Sequence, residues 1–140
     1  MAIQFFNQHA GYALPNLTKL KNWLIKSAQK ENLEISRLSY TFLTDEALHE
    51  INLQFLDHDT LTDIITFDYN IDRFIIGEIY ISLDRVKENA DHLQIPFQLE
   101  LRRVLVHGLL HLMGYTDKTP DEKELMTSKE DYYLSLQPPF

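Results

Sequence analysis

The sequence predicts an α+β fold in which a small mixed sheet packs with helices. Three observations carry that expectation. Stretches with period-two apolar spacing and stretches with 3.6-residue spacing both occur. They mix without the strict strand–helix alternation of a doubly wound sheet. The 140 residues suit one compact domain, 1–140, long enough to bury a sizeable core. The order of strands within the sheet is not legible from the pattern.

Taken in order, Ile3 and Phe5 alternate with polar or outward positions and give a short strand. Asn16 is placed to cap a helix carrying Leu17, Leu20, Trp23, Leu24 and Ala28 on one face. Leu38, Tyr40 and Phe42 alternate with Ser39 and Thr41 as a second strand, after which Thr44 caps a helix bearing Leu48, Ile51 and Phe55. The polar, turn-like run Asp57–Asp63 leads into a short strand at Ile64–Phe67. Phe74–Ser82 is β-branched and apolar and reads as a more buried strand. Leu83, Val86, Ala90 and Leu93 return to helical spacing. Pro96 suits the first turn of a helix running to Met113, because Gly114 can adopt the left-handed conformation that ends it. Thr119, Pro120 and Glu122 combine capping-box spacing with Pro at the first helical position, so a last helix follows. Phe67, Phe74, Tyr132 and Tyr133 read as core, and the acidic charges of the last helix as a solvated face.

Composition narrows the chemistry. There is no cysteine, so disulfides and thiolate metal sites are excluded and any metal is held by nitrogen and oxygen. The start, MAIQFFNQHAGYALP, lacks a basic segment followed by a long apolar one, and no apolar run approaches the ~18 residues of a membrane span. The expected location is the cytoplasm, with no membrane partner. A formal net charge of −8 argues against gripping nucleic acid over a broad basic face, since Lys and Arg supply most non-specific affinity. It does not argue against a nuclease, because a bound divalent cation adds local positive charge.

The informative segment is His107-Gly108-Leu109-Leu110-His111-Leu112-Met113-Gly114-Tyr115-Thr116-Asp117. His107 and His111 project from one helix face one turn apart, a spacing that lets two imidazoles bind one small cation. Gly114 permits a reversal after which Asp117 can return its carboxylate toward them. Three protein ligands and one open position describe a catalytic zinc site. The competing reading is two core histidines bonded to backbone carbonyls. Left unpaired in an apolar helix, each would cost roughly 1–3 kcal/mol, and that reading gives no role to the glycine and carboxylate that follow. The His-x-x-x-His-x-x-Gly-x-x-Asp order is metzincin spacing with Asp for the third His and no Glu after the first. Gly108 stands where a peptidase keeps its general base, which disfavours peptidase chemistry.

His-Gly-x-Leu-His-Leu-x-Gly-Tyr closely resembles the signature of the YbeY family of metal-dependent endoribonucleases. Ile51-Asn52 with Phe55, then Asp59, then Thr62-Asp63-Ile64-Ile65-Thr66-Phe67 is similar to that family's earlier motif. Gly77–Ser82 resembles its following strand, and the helix with Glu124, Met126 and Glu130 resembles the segment after the metal motif. The resemblance implies a single zincin-like α+β domain that hydrolyses single-stranded RNA. It also implies a role in 3′ maturation of small-subunit ribosomal RNA and in ribosome quality control. One zinc per chain would be held by His107, His111 and Asp117. Ribosomal RNA, the ribosome or small-subunit proteins, and a GTPase are the implied partners.

Two departures matter. Asp117 stands where the family usually has a third histidine. A carboxylate remains a competent ligand but lowers the positive charge at the metal, so other, harder divalent ions come into play. Asp121 is a weaker substitute. Leu56 stands where the family commonly has an arginine facing the substrate phosphate; His58, two residues on, is the favoured catalytic stand-in ahead of Lys118, against the reading of His58 as a solvated loop residue. His9, His49 and His92 read as isolated, and Asp59 and Asp63 as turn residues or as part of the active-site rim. Two rival readings accompany the ribonuclease: a metal-dependent hydrolase of another substrate, and a ribosome-associated binding module with a structural metal.

Overall fold

A computed structural model of the chain describes residues 2–12, 14, 17–56 and 63–139. Its elements run β1 (Ile3–Asn7), α1 (Leu17–Lys30), β2 (Glu34–Leu43), α2 (Asp45–Leu56), β3 (Ile64–Asp68), β4 (Phe74–Ser82), α3 (Leu83–Leu93), α4 (Phe97–Leu112) and α5 (Pro120–Leu134). The class is α+β, as expected, and the sheet is mixed. Its order is β1-β2-β4-β3, with β1, β2 and β4 parallel and β3 antiparallel to β4 at the edge.

The core lies between this sheet and α1, α4 and α5. Tyr40, Phe42, Ile75, Ile79 and Ile81 of the sheet meet Leu20, Trp23 and Leu24 of α1, Leu101, Leu105 and Leu109 of α4, and Tyr133 of α5. Each such side chain is worth about 1.5–3 kcal/mol when fully buried, so α4 is anchored by its apolar face and can spare the opposite face for polar residues. Two buried polar groups of this core are paired: Tyr40 Oη donates to the Leu105 carbonyl at 2.8 Å, and Trp23 Nε1 to the Tyr133 carbonyl at 2.9 Å.

The helix ends follow local rules. Thr44 Oγ1 accepts from Ala47 N–H at the start of α2, and α5 opens on the predicted capping box of Thr119 and Glu122 with Pro120 inside it. Pro96 is the N-cap of α4 rather than a member of its first turn, and α4 ends at Leu112 with Met113 as its cap, one residue earlier than expected. Gly114, at φ +103°, completes a Schellman ending: Tyr115 N–H reaches the Leu110 carbonyl at 3.0 Å and Gly114 N–H the His111 carbonyl at 3.1 Å. Asn32 and Gln94, also at positive φ, end α1 and α3 with the same pair of bonds.

Three expectations are corrected. Tyr132 is 47% exposed, so only Tyr133 of the proposed aromatic core is fully buried; Phe67 and Phe74 lie at intermediate depth. Phe55 and Leu93, placed on apolar helix faces, are exposed because each sits at the end of its helix beyond the sheet's cover. His9 is not isolated: its Nε2 meets Asp84 at 2.8 Å while its Nδ1 accepts from Gly11 N–H. Asn16, His58 and Asp59, and the side chain of Leu56, lie outside the described residues.

Candidate metal centre

The half-buried stripe of α4 carries His107 and His111. Their Nε2 atoms face one another at 3.1 Å, and Asp117 Oδ2 stands 3.4 Å from His107 Nε2 and 3.5 Å from His111 Nε2. Asp117 reaches this position because of the Schellman reversal at Gly114, so the local chemistry that ends the helix also delivers the third donor. The loop is pinned behind it, where Tyr115 Oη donates to Glu31 at 2.6 Å. On the other side, Asn70 Nδ2 caps the Leu112 carbonyl at 2.6 Å and ties the end of α4 to the β3–β4 hairpin.

The three donors fit a small cation. Tetrahedral ligands at about 2.05 Å from zinc are about 3.3 Å apart on each edge, whereas right-angled octahedral neighbours at that radius are about 2.9 Å apart. The observed edges of 3.1, 3.4 and 3.5 Å centre on the tetrahedral value. Among the described residues His107, His111 and Asp117 are the group able to hold a metal, and exposed Asp121 is not among them.

A further carboxylate completes the set. Glu130 of α5 is 7% exposed, and its Oε2 lies 2.5 Å from His107 Nδ1. An ionised carboxylate only accepts, so it fixes the proton on Nδ1 and leaves the Nε2 lone pair directed at the other two donors. Arg103 Nη1 supports Glu130 at 3.3 Å. The acidic face of α5 is therefore not wholly solvated, and this correction adds a site residue. The signal was present in the sequence: Glu130 lies four residues after buried Met126 and three before buried Tyr133, on the apolar stripe of its helix.

Burial pushes the His107 imidazolium down, but the hydrogen bond and charge of Glu130, with Asp117 and Asp63, outweigh it and raise its pKa. Burial and the neighbouring His107 push His111 down. Two imidazoles whose Nε2 atoms touch cannot both carry a proton there, which accounts for the opposite directions. Burial, with the charges of Glu130 and Asp117, raises Asp63; burial, with the charges of Asp63 and Glu130, raises Glu100. The Asp63 carboxyl thus feels the charges of this centre, while its carbonyl accepts from Ser82 N–H at 3.0 Å. Gly108, at the position of the absent glutamate, faces the sheet: a Cβ there would meet Ile64 Cδ1 at 2.9 Å and Ile79 Cδ1 at 3.0 Å. α4 packs closely on β3 and β4 here, so any side chain at that position would have to displace the Ile64 and Ile79 side chains.

Comparison with known proteins places this geometry. A family model described as Endoribonuclease YbeY matches residues 3–137. The chain is 49% identical over 136 residues to a protein of Cytophaga hutchinsonii named Endoribonuclease YbeY, covering 96% of this chain and 95% of that one. It is 46% identical over 131 residues to the protein of that name from Flavobacterium psychrophilum, covering 94% of each. Among solved structures it is similar to the solution structure of TM1509 from Thermotoga maritima, with TM-score 0.69 and 29% identity over 95% of this chain and 87% of that one.

Proposed function

This chain belongs to the YbeY endoribonuclease family, and on that premise we propose that residues 1–140 act as one metal-dependent hydrolase domain cutting single-stranded RNA. The finer role we infer is 3′ maturation of 16S ribosomal RNA and ribosome quality control, with the ribosome or its small-subunit proteins as partners and the cytoplasm as location. The observation that carries the reading is the convergence of His107 Nε2, His111 Nε2 and Asp117 Oδ2 at tetrahedral spacing. Among the described residues no helix is long and apolar enough to cross a membrane.

We assign zinc to this donor set, one per chain. When bound, such a cation supplies Lewis acidity toward a phosphate oxygen and acidifies water for attack. The remaining work falls to side chains. Glu130 holds the proton of His107 on Nδ1 and orients the ring. Glu31, through Tyr115, keeps the loop carrying Asp117 in place. Packing of Gly108 against Ile64 and Ile79 fixes the height of α4 above the sheet. His58 is the proposed contact to the substrate phosphate where Leu56 replaces the family's arginine; a His58→Ala variant with full cleavage would remove it.

The test incubates purified protein with single-stranded RNA and zinc or manganese, beside a His111→Ala control prepared identically. Cleavage by the parent alone assigns the chemistry to this centre. Equal cleavage by both, or none with any metal, overturns the reading.

A further inference from the structure

We propose that the outer face of α1, with Leu136 and Pro138 of the C-terminal segment, is a docking track for the phosphate backbone of single-stranded RNA. The inference rests on the ribonuclease reading and extends it to where the strand lies beyond the metal centre.

Charge segregation is the first observation. α1 carries Lys19, Lys21, Lys26 and Lys30 and no acidic residue, a charge of +4 in a chain of net −8, which leaves −12 on the rest. The rest of the chain is net acidic, so a polyanion is drawn preferentially to this helix.

Shape is the second. Lys19, Lys26 and Lys30 line a groove of about 420 Å³ together with apolar Trp23, Leu136 and Pro138. None of the three metal donors lines it. The lysines recur on one face, about 10 Å and then about 6 Å apart along the axis at 1.5 Å per residue. A row of point charges of one sign beside apolar side chains suits a chain of phosphates with its bases or sugars, and lysine stems lie readily along such side chains.

The third observation is availability. Lys87 is paired with Asp91 at 2.6 Å and Lys129 with Glu31 at 3.3 Å. Among the described residues no ion pair involves Lys19, Lys26 or Lys30. Their charge is not spent within the fold.

The track also ends beside the loop that carries Asp117. Lys30 is followed by Glu31, which holds Tyr115, two residues before Asp117. A strand lying along α1 toward its C-terminus therefore runs toward the loop that carries the third metal donor.

The experiment measures binding of a fluorescein-labelled oligouridine to the zinc-loaded protein by anisotropy across a KCl series, with strand integrity checked on a gel. The probe variant is Lys19→Gln/Lys26→Gln/Lys30→Gln; the control, Arg73→Gln/Lys87→Gln/Lys123→Gln, makes the same change in net charge elsewhere. The probe should weaken binding about tenfold or more at low salt, and reduce the salt slope by about 2, three phosphates at about 0.7 each. The control should keep the parent's slope. Unchanged binding by the probe overturns the track. So does an equal loss in the control, no RNA binding by the parent at any salt, or poly-glutamate binding in place of RNA. Cleavage is scored separately. A parent that cleaves while the probe binds normally sinks the track alone; one that binds through α1 but never cleaves sinks the ribonuclease reading alone.

Discussion

Lys129 and Glu130 are neighbours on α5, yet they enter two polar clusters of opposite character. Lys129 joins Glu31, which also accepts the hydroxyls of Tyr115 and Tyr133. Burial pushes the Glu31 carboxyl up, but those three donors outweigh it and hold it below its ordinary value. Glu130 joins His107, His111 and Asp117, with Asp63 and Glu100 nearby, and there burial and mutual repulsion push Asp63 and Glu100 up. The first cluster is complete in itself: one carboxylate, three donors, no charge left over. The second holds more carboxylates than its one guanidinium, Arg103, neutralises, which suits its three facing donors to a divalent cation. Two partly buried polar clusters touching the same loop can therefore be told apart: one is satisfied by its own donors, the other suits a bound cation.

If that contrast is right, zinc acts through one cluster only. At a free concentration of 100 times its Kd it should stabilise the fold by about 2.7 kcal/mol, raising Tm by roughly 8–10 °C, with reversal by a chelator. Scanning calorimetry checks this; a Tm indifferent to zinc would erase the distinction. Next in size, Glu130→Gln should weaken metal affinity about 10–100-fold with little loss of stability, since it removes the partner that orients His107 while relieving its repulsion of Asp63 and Glu100. Glu31→Gln should do the reverse, costing about 1–3 kcal/mol of stability and leaving metal affinity within a few-fold. A double dissociation in those two variants sharpens the comparison, and parallel losses would break it. The pH sign is also fixed. Because the folded state depresses the Glu31 pKa, its contribution is complete above the ordinary carboxylate range and fades as pH falls through the lowered value. The acid limb of the stability curve should therefore flatten in Glu31→Gln. Smallest, Tyr115→Phe removes one of the three donors and should cost about 0.5–1.5 kcal/mol by denaturant melts.

Much of this was legible in the residues because it is local. The two histidines one turn apart, the Gly114 reversal and the Thr119 capping box each depend on neighbours within a few positions, and each is found in the structure. The same holds for the alternating apolar pattern that gives Phe42 and Tyr40 to the core. Strand order was not legible, because a parallel pair such as β2 and β4 is set by crossover packing and not by any turn signal between them. Glu130 was misread for a related reason. It follows His107 by 23 residues, and whether a glutamate on an acidic helix faces water or an imidazole is decided by how α5 docks. Its place on an apolar stripe was the available hint. Gly108 was read correctly as no base, but its packing reason, the close approach of Ile64 and Ile79, needed the sheet.

The central claim, that His107, His111 and Asp117 together hold one divalent ion, is tested most directly by calorimetric zinc titration of the apo protein and of Asp117→Ala. The account predicts one zinc per chain in the parent and a loss of affinity of at least 100-fold in the variant, beyond the roughly 10–100-fold typical of removing an orienting partner, with unchanged circular dichroism. An Asp117→Ala protein that binds one zinc as tightly as its parent would contradict it and move the third donor elsewhere in the chain.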